Sequence, residues 1–370
     1  MKDEHTPEGD YSAGALAALT EALHQTGKEA RRLEALGAEA SASDIQALLL
    51  AARGAFAQLY REYGGQAEAT SAVTLAELAD TYWQTIAQRK MAAPTGVGEL
   101  DKVIGGGLHA ERLYILVGGT NTGKTTLANQ MAETIANGGR PVFYVTSEDT
   151  PGALLAKTLA RLGHNLDYTA ALYGSKDHKQ AIDEALALVM GRKSSGCLVY
   201  LHDTGALSLE QMQAQARAHF KRQAEGGPGL LVIDYLQRMA RMQPGQNGRA
   251  DTRDIVTNYT MRLRAVAEEL GCSVLALSSQ SRAGYGNVEG IVATAKESGD
   301  IEYTADCVLG LFKPDNKRGR LDDDSTTPPA GGLAPGHEWR GIRVAKNRFG
   351  PADTTIWLDW YGARQQFTRG

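Results

Sequence analysis

The chain has 370 residues, which is room for about two domains, and its 42% hydrophobic and 22% charged residues are typical of a globular protein. Its 39 Lys and Arg residues against 43 Asp and Glu residues give a formal net charge of −4, which excludes a globally basic nucleic-acid coat and leaves only local basic patches for DNA or RNA. Three scattered cysteines, and apolar runs far shorter than the ~20 residues of a membrane span, exclude a disulfide scaffold and a membrane protein and indicate a reducing, cytoplasmic compartment.

The first part of the chain is rich in alanine, leucine and glutamate and lacks runs of β-branched residues. This pattern predicts an α-helical N-terminal region over residues 1–72. A capping box formed by Thr74 and Glu77 then opens a predicted linker helix over 73–94, which carries a narrow apolar stripe. The stripe packs either on its own domain or on a neighbouring subunit, and the sequence leaves both alternatives open.

From about residue 95 onward, short β-rich apolar runs alternate with amphipathic, helical stretches. The predicted strands cover 113–117, 142–146, 198–202, 230–234, 274–278 and 308–312. Strands that alternate with helices predict an α/β fold with a mostly parallel central sheet flanked by helices. We therefore assign residues 95–370 to one α/β domain.

The end of the chain has a different pattern. Two strand-like runs, 341–345 and 354–359, flank a turn and predict a β-hairpin. The segment 315–338, which precedes them, is rich in Asp, Pro, Gly and Thr and predicts a mobile surface loop.

A phosphate-binding loop is the strongest motif of the chain. Residues 118–125 read GGTNTGKT and match G-x-x-x-x-G-K-[ST] between a predicted strand and an amphipathic helix, the context that the motif requires. Its glycines let backbone N–H groups point at phosphate oxygens, and the helix N-terminus adds about half a positive charge. We expect Lys124 to reach the β- and γ-phosphates of ATP and the Thr125 hydroxyl to bind Mg²⁺. The predicted nucleotide-binding residues are Gly118, Gly119, Thr120, Asn121, Thr122, Gly123, Lys124, Thr125 and Thr126.

Two further carboxylates complete the predicted nucleotide site. Asp234 ends an apolar strand, which is the usual place for the acid that holds the metal beside a phosphate loop. Glu148 and Asp149 follow the strand 142–146, and ligands bind at the carboxyl ends of parallel strands. We choose Glu148 as the residue that positions or activates the attacking water. Asp149 is the alternative, although it could instead cap the helix that begins near Pro151.

Several motifs, in this order along the chain, resemble those of DnaB-type replicative DNA helicases. They are PTGV at 94–97 with the phosphate loop, VIDYLQ at 232–237, ALSSQSR at 276–282, KESGDIEYTAD at 296–306 and KNRFGP at 346–351. Together they cover about residues 95–370 and are jointly very specific. The resemblance implies a RecA-like fold and an ATP-dependent hexameric helicase that translocates on single-stranded DNA in replication.

The resemblance also implies roles for individual residues. Glu148 falls at the position of the family's catalytic glutamate. Arg348 matches an arginine finger that reaches the nucleotide of an adjacent subunit, and Lys346 matches its companion. A finger supplied in trans implies a homo-oligomer, for which the resemblance indicates a hexameric ring. A loader or a primase is a further expected partner.

The predicted DNA contacts come from two places in the chain. Lys296, Glu297 and Gly299 match the family loop that touches the backbone of single-stranded DNA. Arg249 and Arg253 lie in a flanking stretch that either lines a DNA channel or forms a solvated loop, and the sequence leaves both alternatives open.

One departure from the family pattern concerns the third motif. The family commonly has a glutamine directly after the first serine of this motif. Here Ser279 stands at that position, and Gln280 comes one residue later. Strand alternation then points Gln280 to the other side of the strand, which puts a γ-phosphate-sensing role for it in doubt.

The sequence leaves two other functions open. A RecA-fold switch or recombination ATPase, similar to KaiC or RadA proteins, shares the entry motif, but RadA-type proteins usually carry a four-cysteine zinc finger that three scattered cysteines exclude. A helicase-derived scaffold that hydrolyses ATP on DNA without unwinding it would keep the same motifs. The DYLQ and KNRFGP segments favour the helicase.

Overall fold

The computed structural model describes the chain over residues 10–36, 41, 44–45, 48, 51–52, 75–76, 79, 82–83, 92–174, 176–223, 227–243, 252–279, 303–314, 328–329 and 332–369. The chain divides into two compact units, Met1–Gln88 and Arg89–Gly370. The first unit contains the 27-residue helix α1 (Asp10–Leu36). In the predicted linker helix, 75–76, 79 and 82–83 are helical, whereas its predicted capping box, Thr74 and Glu77, lies outside the described residues.

The second unit, called the core unit below, alternates helices and strands. Its helices are α2 (Gly98–Val103), α3 (Lys124–Asn137), α4 (Pro151–Leu162), α5 (Tyr168–Tyr173), α6 (Lys179–Met190), α7 (Ser194–Cys197), α8 (Leu209–Arg222), α9 (Leu236–Arg241) and α10 (Thr252–Leu270). Its strands are β1 (Arg112–Gly118), β2 (Val142–Thr146), β3 (Leu198–His202), β4 (Leu230–Asp234), β5 (Ser273–Ser279), β6 (Cys307–Phe312), β7 (His337–Asn347), β8 (Thr354–Tyr361) and β9 (Gln366–Arg369). Short 3-10 helices lie at Lys176–His178 and Gly362–Arg364. Across the described parts of the chain, every helix is too short or too polar to span a lipid bilayer.

Within the described residues, the strands of the core unit form one nine-stranded sheet in the order β3-β2-β4-β5-β1-β6-β7-β8-β9. Strands β1 to β6 pair in parallel, and β7 to β9 extend the sheet antiparallel. The prediction of an α/β fold with a mostly parallel central sheet is therefore confirmed. Each predicted parallel strand matches an observed strand to within about one residue at each end.

The predicted C-terminal hairpin is confirmed by β7 and β8, which pair antiparallel. Strand β7 already begins at His337, so the last two residues of the segment 315–338 belong to a strand. Residues 315–327 and 330–331 of that segment lie outside the described residues. Strand β9 was missed by the sequence-based prediction, because a strand of four residues carries too little alternation to be recognised.

Strand alternation divides the hydrophobic core into two layers, one on each face of the sheet. On the central strand β1, Tyr114 and Leu116 face one layer, and Leu113, Ile115 and Val117 face the other. Helix α3 supplies Leu127, Met131 and Ile135 to the first layer, and α10 supplies Tyr259, Leu263 and Val266 to the second. Because β1 is buried on both faces, the loop that follows it has a rigid support.

A buried ion pair joins α3 to α4. Arg161 Nη2 lies 2.5 Å from Glu133 Oε1, and both side chains are less than a tenth exposed. The Thr158 hydroxyl donates to the same carboxylate, and Arg161 also donates to the backbone carbonyl of Gln365 at 3.3 Å. The pair therefore holds together the helix that follows the phosphate loop, the helix that follows β2 and the C-terminal 3-10 turn.

We expect Glu133→Ala to lower the free energy of unfolding by about 3 kcal/mol, because the Arg161 guanidinium would stay buried without its counter-charge. Urea unfolding followed by tryptophan fluorescence measures this change. The double variant Glu133→Met with Arg161→Met removes both charges and should be clearly less destabilised than the single variant. A single variant as stable as the wild type would show that the pair contributes nothing to the fold.

Candidate active site

The motif at 118–125 forms the connection between β1 and α3, as predicted. Two of its residues adopt the left-handed backbone conformation, Asn121 with φ 60° and Gly123 with φ 99°. A Cβ atom on Gly123 would lie 2.8 Å from Cζ of Phe367 on β9, so the position favours glycine for its backbone conformation and for its packing. The loop thus curls between its own helix and the last strand of the sheet.

Lys124 lies inside this curl. Its ammonium group donates hydrogen bonds to the backbone carbonyls of Gly118 (2.8 Å) and Gly119 (2.9 Å). Burial lowers the pKa of Lys124, and the carboxylates of Asp234 and Glu148 oppose that shift. The three predicted charged residues of the nucleotide site are therefore close enough to interact electrostatically.

The threonine hydroxyls of the motif and of the first turn of α3 have different partners. Thr122 Oγ1 donates to the carbonyl of Gly119 at 2.9 Å, which stabilises the curl itself. Thr126 Oγ1 donates to Oε1 of Gln365 at 2.8 Å, which ties the first turn of α3 to the C-terminal turn. The Thr125 side chain hydrogen-bonds to Asp234 instead.

Asp234 ends β4 as a buried carboxylate, with the residue only 2% exposed. Tyr144 on β2 donates its hydroxyl to Oδ2 of Asp234 at 2.9 Å. Burial raises the pKa of Asp234 to about 6, although the hydrogen bonds from Tyr144 and Thr125 favour the ionised form. No group of three or more His, Cys, Asp or Glu side chains that could hold a metal occurs among the described residues. Thr125 and Asp234 offer hard oxygen ligands, which suit Mg²⁺ when phosphate oxygens complete its shell.

The two carboxylates after β2 have different surroundings. Glu148 is exposed at the same edge of the sheet as Lys124 and Asp234. Asp149 Oδ2 lies 2.5 Å from Nζ of Lys157 on α4, so that carboxylate is engaged in an ion pair. The alternative role of Asp149 as a helix cap is wrong, because Thr150 is the N-cap of α4 and accepts the N–H of Ala153 at 3.2 Å. A threonine directly before a proline at the first helical position was the better capping signal.

Arg348 and Lys346 lie at the other end of the strands. Arg348 Nη1 contacts Oδ1 of Asp306 at 3.3 Å, and its Nη2 donates to the carbonyl of Tyr303 at 3.3 Å. Lys346 Nζ donates to the same carbonyl at 3.3 Å. The backbone N–H of Asp306 in turn donates to Leu113, near the start of β1. Lys346, near the end of β7, and Arg348, directly after that strand, therefore share one location, as their spacing in the sequence predicts.

The strand register separates the two groups of predicted site residues. In the pairing of β1 with β6, Tyr114 aligns with Cys307 and Gly118 aligns with Leu311. The phosphate loop follows Gly118 at the carboxyl edge of the parallel strands, and Arg348 lies beyond Cys307 at the amino edge. The stretch from Leu113 to Gly118 spans roughly 16 Å of strand. Arg348 is therefore too far away to contact a phosphate bound in the loop of its own chain.

Most of the predicted DNA-contact residues lie outside the described residues, as does Gln280. They are Lys296, Glu297, Gly299 and Arg249. Arg253, in the first turn of α10, is described and exposed. Their roles remain predictions.

The sequence analysis missed the role of Gln237, which connects β4 to β5. Its Nε2 donates to Oγ of Ser278 at 2.7 Å, and its Oε1 accepts the backbone N–H of Ser279 at 3.2 Å. Ser279 is paired with Gly118 at the start of the phosphate loop. The available signal was the position of Gln237 three residues after Asp234, at the same edge of the sheet.

We expect Asp234→Asn to stabilise the ligand-free protein. A carboxyl whose pKa is about 6 in the folded state and 3.8 ordinarily stabilises the fold below about pH 3.8, and this contribution is lost as the pH rises through about 6. The variant should therefore be more stable than the wild type by roughly 2–3 kcal/mol at pH 8, since each tenfold change in proton affinity is worth about 1.4 kcal/mol. The difference should shrink toward pH 4.

Urea unfolding at pH 8, 6 and 4.5 measures this difference. Asp183→Asn on the surface of α6 is the matched control, because its carboxylate is more than half exposed and should show little change. If the Asp234 variant were less stable than the wild type at every pH, burial would not dominate the energetics of this carboxylate.

Comparisons with known proteins show the family and the fold of this chain. The family described as the DnaB-like helicase C-terminal domain matches residues 92–369. The chain is 28% identical over 227 residues to the replicative DNA helicase DnaB of Pasteurella multocida (strain Pm70), which covers 59% of this chain and 46% of that protein. The chain spans about half the length of the curated relatives that it matches.

Two solved structures share the fold. One, described as an ATPase domain, has a TM-score of 0.64 at 18% identity, covering 81% of this chain and 100% of that one. The other, a DnaB-like replicative helicase whose structure was described with its interactions with primase, has a TM-score of 0.65 at 16% identity, covering 94% of this chain and 76% of that one. The resemblance drawn from the motifs is confirmed: through residues 92–369, the chain belongs to the family of the DnaB-like helicase C-terminal domain.

Proposed function

We propose that this chain is an ATP-driven DNA helicase that works as a hexameric ring on single-stranded DNA in replication. Membership of the DnaB-like helicase family supports the proposal and favours it over a RecA-fold switch or recombination ATPase. One observation carries it: the phosphate loop and the candidate finger Arg348 lie at opposite edges of one sheet. A complete site then requires two copies of the chain.

The nucleotide is ATP, held by the phosphate loop. Backbone N–H groups of the loop and the N-terminus of α3 receive the phosphates, and Lys124 exchanges its two carbonyl contacts for phosphate oxygens. Mg²⁺ fits the paired hydroxyl and carboxylate of Thr125 and Asp234, and when bound it neutralises charge on the β- and γ-phosphates. Burial raises the pKa of Asp234, and a bound cation would offset this cost by stabilising the ionised carboxylate.

Glu148 orients the attacking water and accepts its proton. It is exposed at the carboxyl edge and is near enough to affect the pKa values of Lys124 and Asp234, which supports its assignment over that of Asp149. Asp149 is the weaker candidate, because its carboxylate is paired with Lys157. The choice between the two neighbouring acids therefore follows from their partners.

Arg348 and Lys346 complete the site of the adjacent subunit. Positive charge brought to the transferring phosphoryl group stabilises the transition state, and an arginine finger is worth about 10³–10⁵ in rate. Supply of the finger by a neighbour couples hydrolysis to the relative position of two subunits, which is what a translocating ring requires.

The remaining partners follow from the family. Single-stranded DNA is contacted by Lys296, Glu297 and Gly299, with Arg249 and the exposed Arg253 as flanking contacts. A primase or a loader is the expected protein partner, since the DnaB-like helicase of similar fold was described with primase. A cytoplasmic location is consistent with three buried, free thiols.

Unwinding of a forked DNA duplex with ATP and Mg²⁺ tests the proposal, and Lys124→Ala should abolish both unwinding and ATP hydrolysis. Lys102→Ala is the matched control, since Lys102 is 70% exposed in a surface pair with Glu99 and should leave both activities unchanged. ATP hydrolysis that DNA stimulates, but without unwinding, would favour a helicase-derived scaffold. ATP hydrolysis at the same rate with and without DNA would favour a RecA-fold switch ATPase. Normal turnover of the Lys124 variant would overturn the phosphate-loop assignment.

A subunit-mixing experiment tests the shared site. We expect Arg348→Ala to bind ATP normally but to hydrolyse it about 10³-fold more slowly, and Glu148→Gln to be equally inactive. In an equal mixture, random assembly pairs an intact Glu148 with an intact Arg348 at about one interface in four. Recovery of ATPase activity in the mixture is the expected result. A mixture as inactive as its components would count against a finger in trans.

A further inference from the structure

The carboxylate of Asp306 contacts the candidate arginine finger, Arg348, within its own chain. Asp306 directly precedes β6 and is only 1% exposed. Its Oδ2 accepts the backbone N–H of Leu113 at 3.0 Å and contacts Nε of Arg264 at 3.1 Å. Its Oδ1 contacts Nη1 of Arg348 at 3.3 Å. The two oxygens of one buried carboxylate therefore have different partners.

The two oxygens of Asp306 differ in the burial of their partners. Leu113 and Arg264 are on β1 and α10, and they would satisfy Oδ2 even without Arg348. Oδ1 instead faces an arginine whose side chain is 51% exposed. The backbone N–H of Arg348 also donates to the carbonyl of Asp306 at 3.1 Å. Both the backbone and the side chain of Arg348 therefore contact the same residue.

Two contacts orient the guanidinium plane of Arg348. Nη1 is directed at Asp306, and Nη2 donates to the carbonyl of Tyr303 at 3.3 Å. Lys346 Nζ donates to that same carbonyl. A long arginine side chain loses rotamer entropy when it is fixed, so a side chain that is already oriented loses less when it meets a phosphate.

The charges around Asp306 leave the finger positive. The carboxylate faces Arg264 and Arg348, and Arg264 also pairs at 2.9 Å with Glu268, which is 58% exposed and screened by water. With Lys346 nearby, the described groups sum to three positive and two negative charges. Asp306 therefore orients Arg348 without cancelling the charge that a phosphate would meet.

We propose that Asp306 is a positioning residue for the finger: its buried carboxylate holds Arg348 in the orientation that reaches the nucleotide of the neighbouring subunit. The inference rests on the proposed function, because it assumes that Arg348 acts in trans. It assigns no contact between Asp306 and the nucleotide.

The first test is the kinetics of Asp306→Asn, which keeps an acceptor for Leu113 but loses the charge that holds Arg348. We expect kcat for ATP to fall about ten- to a hundredfold with KM unchanged, because a small misplacement of a catalytic group costs this much while the phosphate loop is untouched. Asp353→Asn is the matched control: Asp353 contacts Arg343 at the same 3.3 Å between β7 and β8 but is 72% exposed and should leave kcat unchanged. A wild-type kcat for Asp306→Asn would overturn the proposal.

The second test locates the defect on one side of the subunit interface. Asp306→Asn mixed with Glu148→Gln should recover ATPase activity, since the second chain supplies an intact finger. Asp306→Asn mixed with Arg348→Ala should not recover, since every finger is then defective. A variant that does not fold would be rescued by neither partner. For a variant that folds, recovery in both mixtures or in neither would overturn the proposal.

Two further measurements keep the test decisive. If Asp306→Asn does not fold, as judged by circular dichroism and nucleotide binding, Asp306→Glu retains the charge facing Arg264 but shifts it by one methylene, and it should show the same mixing pattern. Arg348→Ala mixed with Glu148→Gln is run in parallel. If the Arg348→Ala and Glu148→Gln mixture shows no recovery, the finger in trans is overturned, and the proposed function with it. If that mixture recovers but neither Asp306 variant gives the expected mixing pattern, only the role of Asp306 is overturned.

Discussion

The direction of the strands in a parallel sheet is the constraint on which the rest of this structure depends. Parallel strands place all their carboxyl ends at one edge. There, Asp234 ends β4, Glu148 follows β2, and Lys124 begins the helix after β1. The same geometry puts the turn after β7 at the amino edge, because β7 runs antiparallel to β6. The phosphate-loop motif and the candidate finger Arg348 therefore lie at opposite edges of the sheet.

Burial of charged side chains is a second constraint on the candidate site. Asp234 is buried and Lys124 is partly buried, and burial shifts their pKa values in opposite directions, each toward the neutral form. Such an arrangement is unfavourable for a protein without its ligand and becomes favourable when a cation and a polyanion enter together. Under the proposed function, the charges of a metal-bound triphosphate offset the cost of burying these two groups.

The motifs and the strands were accessible from the sequence because they depend on local pattern. Apolar runs of five residues predicted the strands, and the spacing of two glycines before Lys124 predicted the loop. The contacts that complete the site are not local: Thr126 meets Gln365 across 239 residues, and Leu113 meets Asp306 across 193. No periodicity encodes such pairs, because they arise only when β9 joins β8 and when β6 aligns beside β1.

Strand β9 ends the chain's described part directly against the nucleotide loop, with Phe367 between Trp360 and Gly123. Gln130 of α3 also forms hydrogen bonds with the backbone N–H and carbonyl of Phe367. Truncation of the chain before residue 366 would remove the contacts of Phe367 with Gly123 and Gln130, and so expose one side of the phosphate-loop motif, while all of the parallel strands would remain.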